Sequence, residues 1–132
     1  MIKDFNIEDL EKFTPNSISR IDEVRGVLED PSYDQYTLWR GGIVKAVLCF
    51  RNNGNGDWLG FLLIAKDFAA RDGIRARRFI RSEMAKHRPK RVWTVSSREP
   101  FIAKWHEFLG MKIESPIIVE GRQCDVWSMK WE

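Results

Sequence analysis

Apolar and polar positions along this chain change period several times, and each change marks a boundary between elements. Ile2 to Phe5 reads as a short strand, and Asn6 followed by Asp9 has the form of an N-cap with an acidic third position, opening a helix through about Phe13. Behind a cap at Asn16 or Ser17, the residues Ile18, Ile21, Val24 and Leu28 recur at helical spacing, and Pro31 stops this second helix after Asp30. The period then becomes two. Residues 35–40 (QYTLWR), a Gly41-Gly42 turn, residues 43–51 (IVKAVLCFR), the turn NNGNG and residues 57–65 (DWLGFLLIA) predict an antiparallel meander of three strands.

Helical spacing returns from about Asp72 to His87, where Ala76, Ile80 and Met84 lie four residues apart with Phe79 beside them, and Pro89 ends the segment. Arg91 to Ser96 reads as a strand. A last helix opens near Ser97 or Glu99, with Pro100 in its first turn, where a missing N–H costs little, and closes at Gly110. Residues 111–119 (MKIESPIIV), the turn EGRQ and residues 124–131 (CDVWSMKW) predict a C-terminal hairpin. The expected order is strand, two helices, three strands, helix, strand, helix, two strands.

The 57–97 stretch carries the functional signal. A strand, a helix and a second strand in one sheet form a parallel crossover, which leaves the helix N-terminus beside the carboxyl ends of the strands. Backbone N–H groups at Gly73 and just after it, the positive end of the helix, and Arg71 and Arg75 nearby would favour a phosphorylated ligand there. Arg71, Arg75 and Arg78 are four and three residues apart, so a helix gathers them on one side. They serve either as phosphate ligands or as solubilising charges.

With 132 residues and 43% hydrophobic composition the chain suffices for one domain, residues 1–132, with a core that needs no disulfide or metal. No apolar run is long enough to span a bilayer, and the MIKDFNIEDL start has no signal-peptide core, so the chain is expected to stay in the cytoplasm. Cys49 and Cys124 sit in apolar strand-like runs without metal spacing, which predicts buried free thiols first and a disulfide second. His87 and His106 have no partners at ligand spacing, so no metal site is expected. Net charge is only +3, but nine Lys or Arg stand against two acids between Arg71 and Arg91. That helix face attracts anions or is simply solvated. Trp39, Trp58 and Trp93 fall in three predicted strands, with Trp127 and Trp131 on one face of the last, a pattern explained first by core packing.

Three segments resemble the GNAT superfamily of acetyl-CoA-dependent N-acetyltransferases. Residues 101–112 (FIAKWHEFLGMK) are similar to its late helix, where most members place a tyrosine, three residues, then Gly-Phe; His106 stands at the tyrosine position and Gly110-Met111 follow. The MIKDFNIEDL start resembles its first strand and acidic first helix. In ARDGIRA the family's acyl-CoA loop (Arg or Gln, two residues, Gly, one residue, Gly or Ala) is matched at Gly73, while Ala70 replaces the Arg or Gln and Arg75 the second small residue. An arginine there either blocks close approach of a diphosphate or supplies a charge-assisted bond to it.

The resemblance implies an α/β (α+β) fold, with a mixed, mostly antiparallel sheet of six to seven strands, one parallel crossover and four helices. It implies acetyl-CoA as the acyl donor, with its pantetheine arm along Leu62, Leu63, Ile64 and Ala65 and its diphosphate on Arg71, Asp72, Gly73, Ile74, Arg75 and Ala76. The acceptor would be a small-molecule amine or a protein amino group. His106 would protonate the departing thiolate, or is a packed helix residue. No acid lies between Trp58 and Ala65 to serve as general base; Asp57, Glu99 and Glu107 are the nearest. RVWTV, the W-x-x-x-LGM helix end and the aromatic last strand are similar to short GNAT-like proteins of tailed bacteriophages and prophages. That likeness implies as an alternative a catalytically degenerate structural or binding protein, located in the host cytoplasm or as a virion component. Nucleic-acid binding through the basic helix is a third reading, less expected because no exposed aromatics interleave with the charges. The aromatic last strands would suit a homodimer.

Overall fold

In the computed structural model, which describes residues 1–15 and 26–130, seven strands form one sheet in the order β1-β2-β3-β4-β5-β7-β6. They are β1 (Ile2–Asp4), β2 (Asp34–Arg40), β3 (Ile43–Asn52), β4 (Asp57–Ile64), β5 (Arg91–Ser97), β6 (Lys112–Val119) and β7 (Arg122–Met129). Every neighbouring pair is antiparallel except β4–β5, which is parallel because helix α1 (Ala70–His87) crosses between them. A second helix, α2 (Pro100–Leu109), links β5 to β6. This is the mixed, mostly antiparallel α+β architecture expected, with its one parallel crossover.

Local chemistry accounts for the boundaries. Ile7–Lys12 winds as a 3-10 helix, its N-cap as expected: Asn6 Oδ1 accepts the Glu8 N–H (3.1 Å) and Asp9 accepts the Asn6 N–H (2.9 Å). A segment this short gains little from the wider α ladder. Residues 26–28 are helical, while the rest of the second expected helix, from Asn16 or Ser17 through Ile18, Ile21 and Val24, lies outside the described residues. The expected four-residue EGRQ turn is tighter than read: Glu120 (φ 50°) and Gly121 (φ 79°) both take positive φ, so two residues reverse the chain and β7 resumes at Arg122. Pro100 opens α2 and Gly110 (φ 93°) ends it, as the sequence predicts.

Two apolar clusters flank the sheet. Leu38, Ala46, Leu48 and Phe50 alternate onto one face, where Ala76, Ile80 and Met84 of α1 and Leu109 of α2 cover them; Val47, Cys49 and Leu63 point to the other, against Phe13, Leu28 and Tyr33. Both helices therefore lie on one side of the sheet. Among the described residues no helix is long and apolar enough to cross a membrane.

Cys49 and Cys124 are buried free thiols, the first of the two alternatives. Burial pushes the Cys49 thiol up to about 12. A thiol-exchange reagent at pH 8 should label neither cysteine in the folded protein and both after denaturation; prompt labelling of the native protein would contradict this packing.

Candidate functional site

β4 and β5 pair only at Asp57–Arg91, Trp58–Val92 and Leu59–Trp93, then part. Their joined end is pinned by charge. The Asp57 carboxylate accepts from Trp93 Nε1 (2.9 Å) and Arg91 Nη1 (3.0 Å), and Arg91 also forks onto Glu114. Asp57 is thus committed to the closed end, away from the gap, and is no candidate base. Glu99 and Glu107 are exposed on α2 and its cap.

The register with β3 decides what β4 offers to the gap. Ala65 N–H donates to Lys45 (2.9 Å), so Phe61, Leu63 and Ala65 direct their main-chain groups to β3, and those of Leu62 turn toward the gap. Of the expected edge Leu62–Ala65, then, Leu62 presents both N–H and C=O. Further along, Lys66 N–H donates to Thr14 (3.0 Å) and Pro15 bridges Ala65, so residues 14–15 cover the end of this edge.

Between the strands and α2 lies an apolar cavity of about 50 Å³, lined by Leu62, Ile80, Thr94, Trp105, His106 and Met129 among others. His106 is only 7% exposed, its Nε2 lies 3.0 Å from Ser96 Oγ on β5, and its ring packs against Trp127. Burial lowers its pKa to about 4. The imidazole is therefore neutral at pH 7, about one part in a thousand protonated. Its Nδ1 is buried without a partner among the described residues. An unpaired lone pair costs less than an unpaired N–H, so the proton belongs on Nε2, donated to Ser96.

The α1 N-terminus departs most from expectation. The helix starts at Ala70, two residues early, because Asp72 occupies its third position and accepts the Ala69 N–H (2.9 Å). The Gly73 amide, expected to be free, donates to Ala69 C=O (3.1 Å). Only the amides of Ala70 and Arg71 have no acceptor among the described residues. Asp72 is fully buried, and Arg40 Nε and Nη2 fork onto its carboxylate (2.9 and 3.0 Å). Burial raises its pKa, but the bonds from Arg40 and Ala69 and the charges of Arg40 and Lys45 outweigh that and hold it below the usual carboxylate range. Arg75 is half-buried, and its Nη1 donates to Trp39 C=O (3.0 Å). Arg71, Ile74 and Arg78 are exposed, and Ala76 is in the core. Gly73 lets the helices pack closely, since a Cβ there would lie 3.2 Å from the Trp105 ring, a tight contact, and 3.6 Å from Phe68, an ordinary one.

The structure thus brings Leu62 and His106 to one cavity and sets Asp72 and Arg75 into the scaffold. Arg40, Ser96, Phe68 and Trp105 were not singled out as site residues. Ser96 could have been read from strand alternation, since it shares a face with Val92 and Thr94; the Arg40–Asp72 pair spans 32 residues and leaves no local signal.

No protein-family model matches the chain, and no curated protein matches it in sequence. Solved structures do match in fold. The ribosomal-protein-S18-alanine N-acetyltransferase of Escherichia coli superposes with a TM-score of 0.74 at 14% identity, covering 98% of this chain and 92% of that one. A Bacillus subtilis acetyltransferase in complex with CoA gives 0.69 at 13% identity, covering 99% and 98%. The spermidine/spermine N-acetyltransferase SpeG of Vibrio cholerae gives 0.70 at 10% identity, covering 98% and 91%. Across essentially its whole length, this chain has the fold of the GNAT acetyltransferases.

Proposed function

We propose that the gap between β4 and β5 receives the acylated thiol arm of acetyl-CoA and that the protein transfers the acetyl group to an amine. The carrying observation is the parting of the two strands after Leu59–Trp93, which turns the Leu62 main chain toward an apolar cavity walled by His106 and Trp105. An extended amide-bearing chain can pair with such an edge as another strand would. In the transfer the neutral amine attacks the thioester carbon, the C–S bond breaks, and the proton lost by the new ammonium goes to the departing thiolate. This needs no protonated histidine. His106 acts as a neutral donor that holds the Ser96 hydroxyl at the cavity wall.

A second reading, a catalytically degenerate fold with a structural or binding role, is favoured by Asp72. Its carboxylate stands at the helix end where a diphosphate's charge would be received, and Arg40 is already engaged with it.

Incubation with acetyl-CoA and a panel of amines, read by CoA release and product mass, separates the readings. Transfer predicts an acetylated amine in stoichiometric balance with free CoA. Absence of product with weak or absent acetyl-CoA binding supports the second reading and contradicts transfer.

A further inference from the structure

We infer that the paired outer surfaces of α1 and α2 bind single-stranded nucleic acid. This inference does not rest on the transferase reading. The two helices run side by side: Gly73 packs on Trp105, the Arg77 guanidinium lies 5.0 Å above the Phe108 ring, and Arg81 Nη2 donates to Leu109 C=O (3.4 Å). These α1 positions are four residues apart, the spacing of one helix face. Along the seam the surface alternates rings and cations. Phe101 is 47% exposed and Phe108 39%, and Lys104 sits between them on the same face of α2. Arg71, Arg78 and Arg81 stand exposed on α1.

Two features separate this face from an ordinary solvated one. Trp105 and the Arg77 guanidinium pack on the Phe108 ring, yet Phe101 and Phe108 keep 47% and 39% of their surface exposed, which costs apolar burial. Two of the α1 cations are also uncommitted. Arg40, Arg91 and Arg98 are tied to carboxylates, and on α1 itself Arg75 and Arg81 are tied to carbonyls, whereas Arg71 and Arg78 have no ion pair among the described residues. Glu107 is the carboxylate nearest in sequence to Phe108 and does not balance them.

A single strand offers what this face lacks: phosphates for the arginines and unstacked bases for the phenyl rings. Arginine suits the task better than lysine because its planar fork bonds phosphate bidentately and also stacks. A duplex is disfavoured, since two helices packed side by side form a broad ridge rather than one helix able to enter a groove. The exposed Phe101 and Phe108 supply the interleaved aromatics that the linear sequence did not show, because the rings and most of the charges come from different helices.

Fluorescence anisotropy of an end-labelled oligothymidylate tests this on the full chain at low salt. Binding is expected in the micromolar range and to weaken steeply with salt. Phe108→Ala and Phe101→Ala should each weaken it about tenfold while leaving the salt slope unchanged. Arg78→Gln with Arg81→Gln should lower the slope of log K against log salt by roughly 1.4. Arg122→Gln, exposed at the start of β7, should change neither. Absence of binding at about 100 µM protein, or binding that the phenylalanine variants leave intact, would overturn the proposal. So would capture by anionic vesicles that alone depends on the two phenylalanines. All four residues are exposed, so the variants should fold, and a native circular dichroism spectrum checks that they do.

Discussion

Acidification from pH 7 to pH 5 is expected to cost the native state about 2 kcal/mol through His106 alone, rising to about 3 kcal/mol by pH 4. The unfolded chain takes up a proton on this imidazole near its ordinary 6.5, whereas burial holds the folded group at about 4. Between those values the unfolded state binds more protons, so falling pH favours unfolding. The contribution is fully present above 6.5, is lost as pH falls through the window and levels off below 4. Ser96 does not rescue the charged form by attraction, since a hydroxyl carries no charge, and Nδ1 has no acceptor waiting for a second proton. Urea denaturation at several pH values should show this slope in the wild type and its disappearance in His106→Phe. A wild-type stability flat from pH 7 to 5 would mean that the ring is hydrated. The same property bears on chemistry: transfer, where it occurs, should show no rate limb near 6.5 from this residue.

Replacing Asp72 with alanine should destabilise the protein by about 3 kcal/mol, because it removes the acceptor for the Ala69 N–H and strands the Arg40 guanidinium without its fork. Asp72→Asn keeps one acceptor and loses the charge, so its cost should be smaller. The folded pKa of Asp72 is depressed, so its stabilisation is present above the ordinary carboxylate pKa and is lost as pH falls through the folded value. Asp72→Asn should flatten that acid limb. The substitution should also tighten binding of acetyl-CoA severalfold, since the helix end then meets a diphosphate without a resident carboxylate. A stable Asp72→Ala protein with unchanged ligand affinity would contradict this reading of the α1 terminus.

The fold was legible because its signals are local. Alternation at 43–51 and 57–65, four-residue spacing at Ala76, Ile80 and Met84, and the Pro100 and Gly110 stops each act within a few residues and set the order of elements along the chain, whereas the insertion of β7 between β5 and β6 does not follow from succession. The site was legible in outline only. Gly73 carried a motif's expectation of an open amide, yet its lack of a side chain serves the Trp105 ring, a contact spanning 32 residues. Asp72 looked like the start of a helix; its fully buried pairing with Arg40 depends on where β2 ends in space. His106 was found by its position in a helix, but its charge state follows from burial beside Trp127, which no spacing rule reports. Exposed phenylalanines next to arginines were invisible for a related reason: helices whose starts lie 30 residues apart in sequence meet only in the folded chain.

Amide hydrogen exchange, followed with and without acetyl-CoA, tests the cleft most directly. Bound acetyl-CoA should slow exchange at Leu62, on the edge of β4 that faces the gap, and at Ala70 and Arg71, whose amides have no acceptor among the described residues. Protection confined to other segments, or none at saturating ligand, would contradict the assignment of the β4–β5 gap as the acyl-donor site.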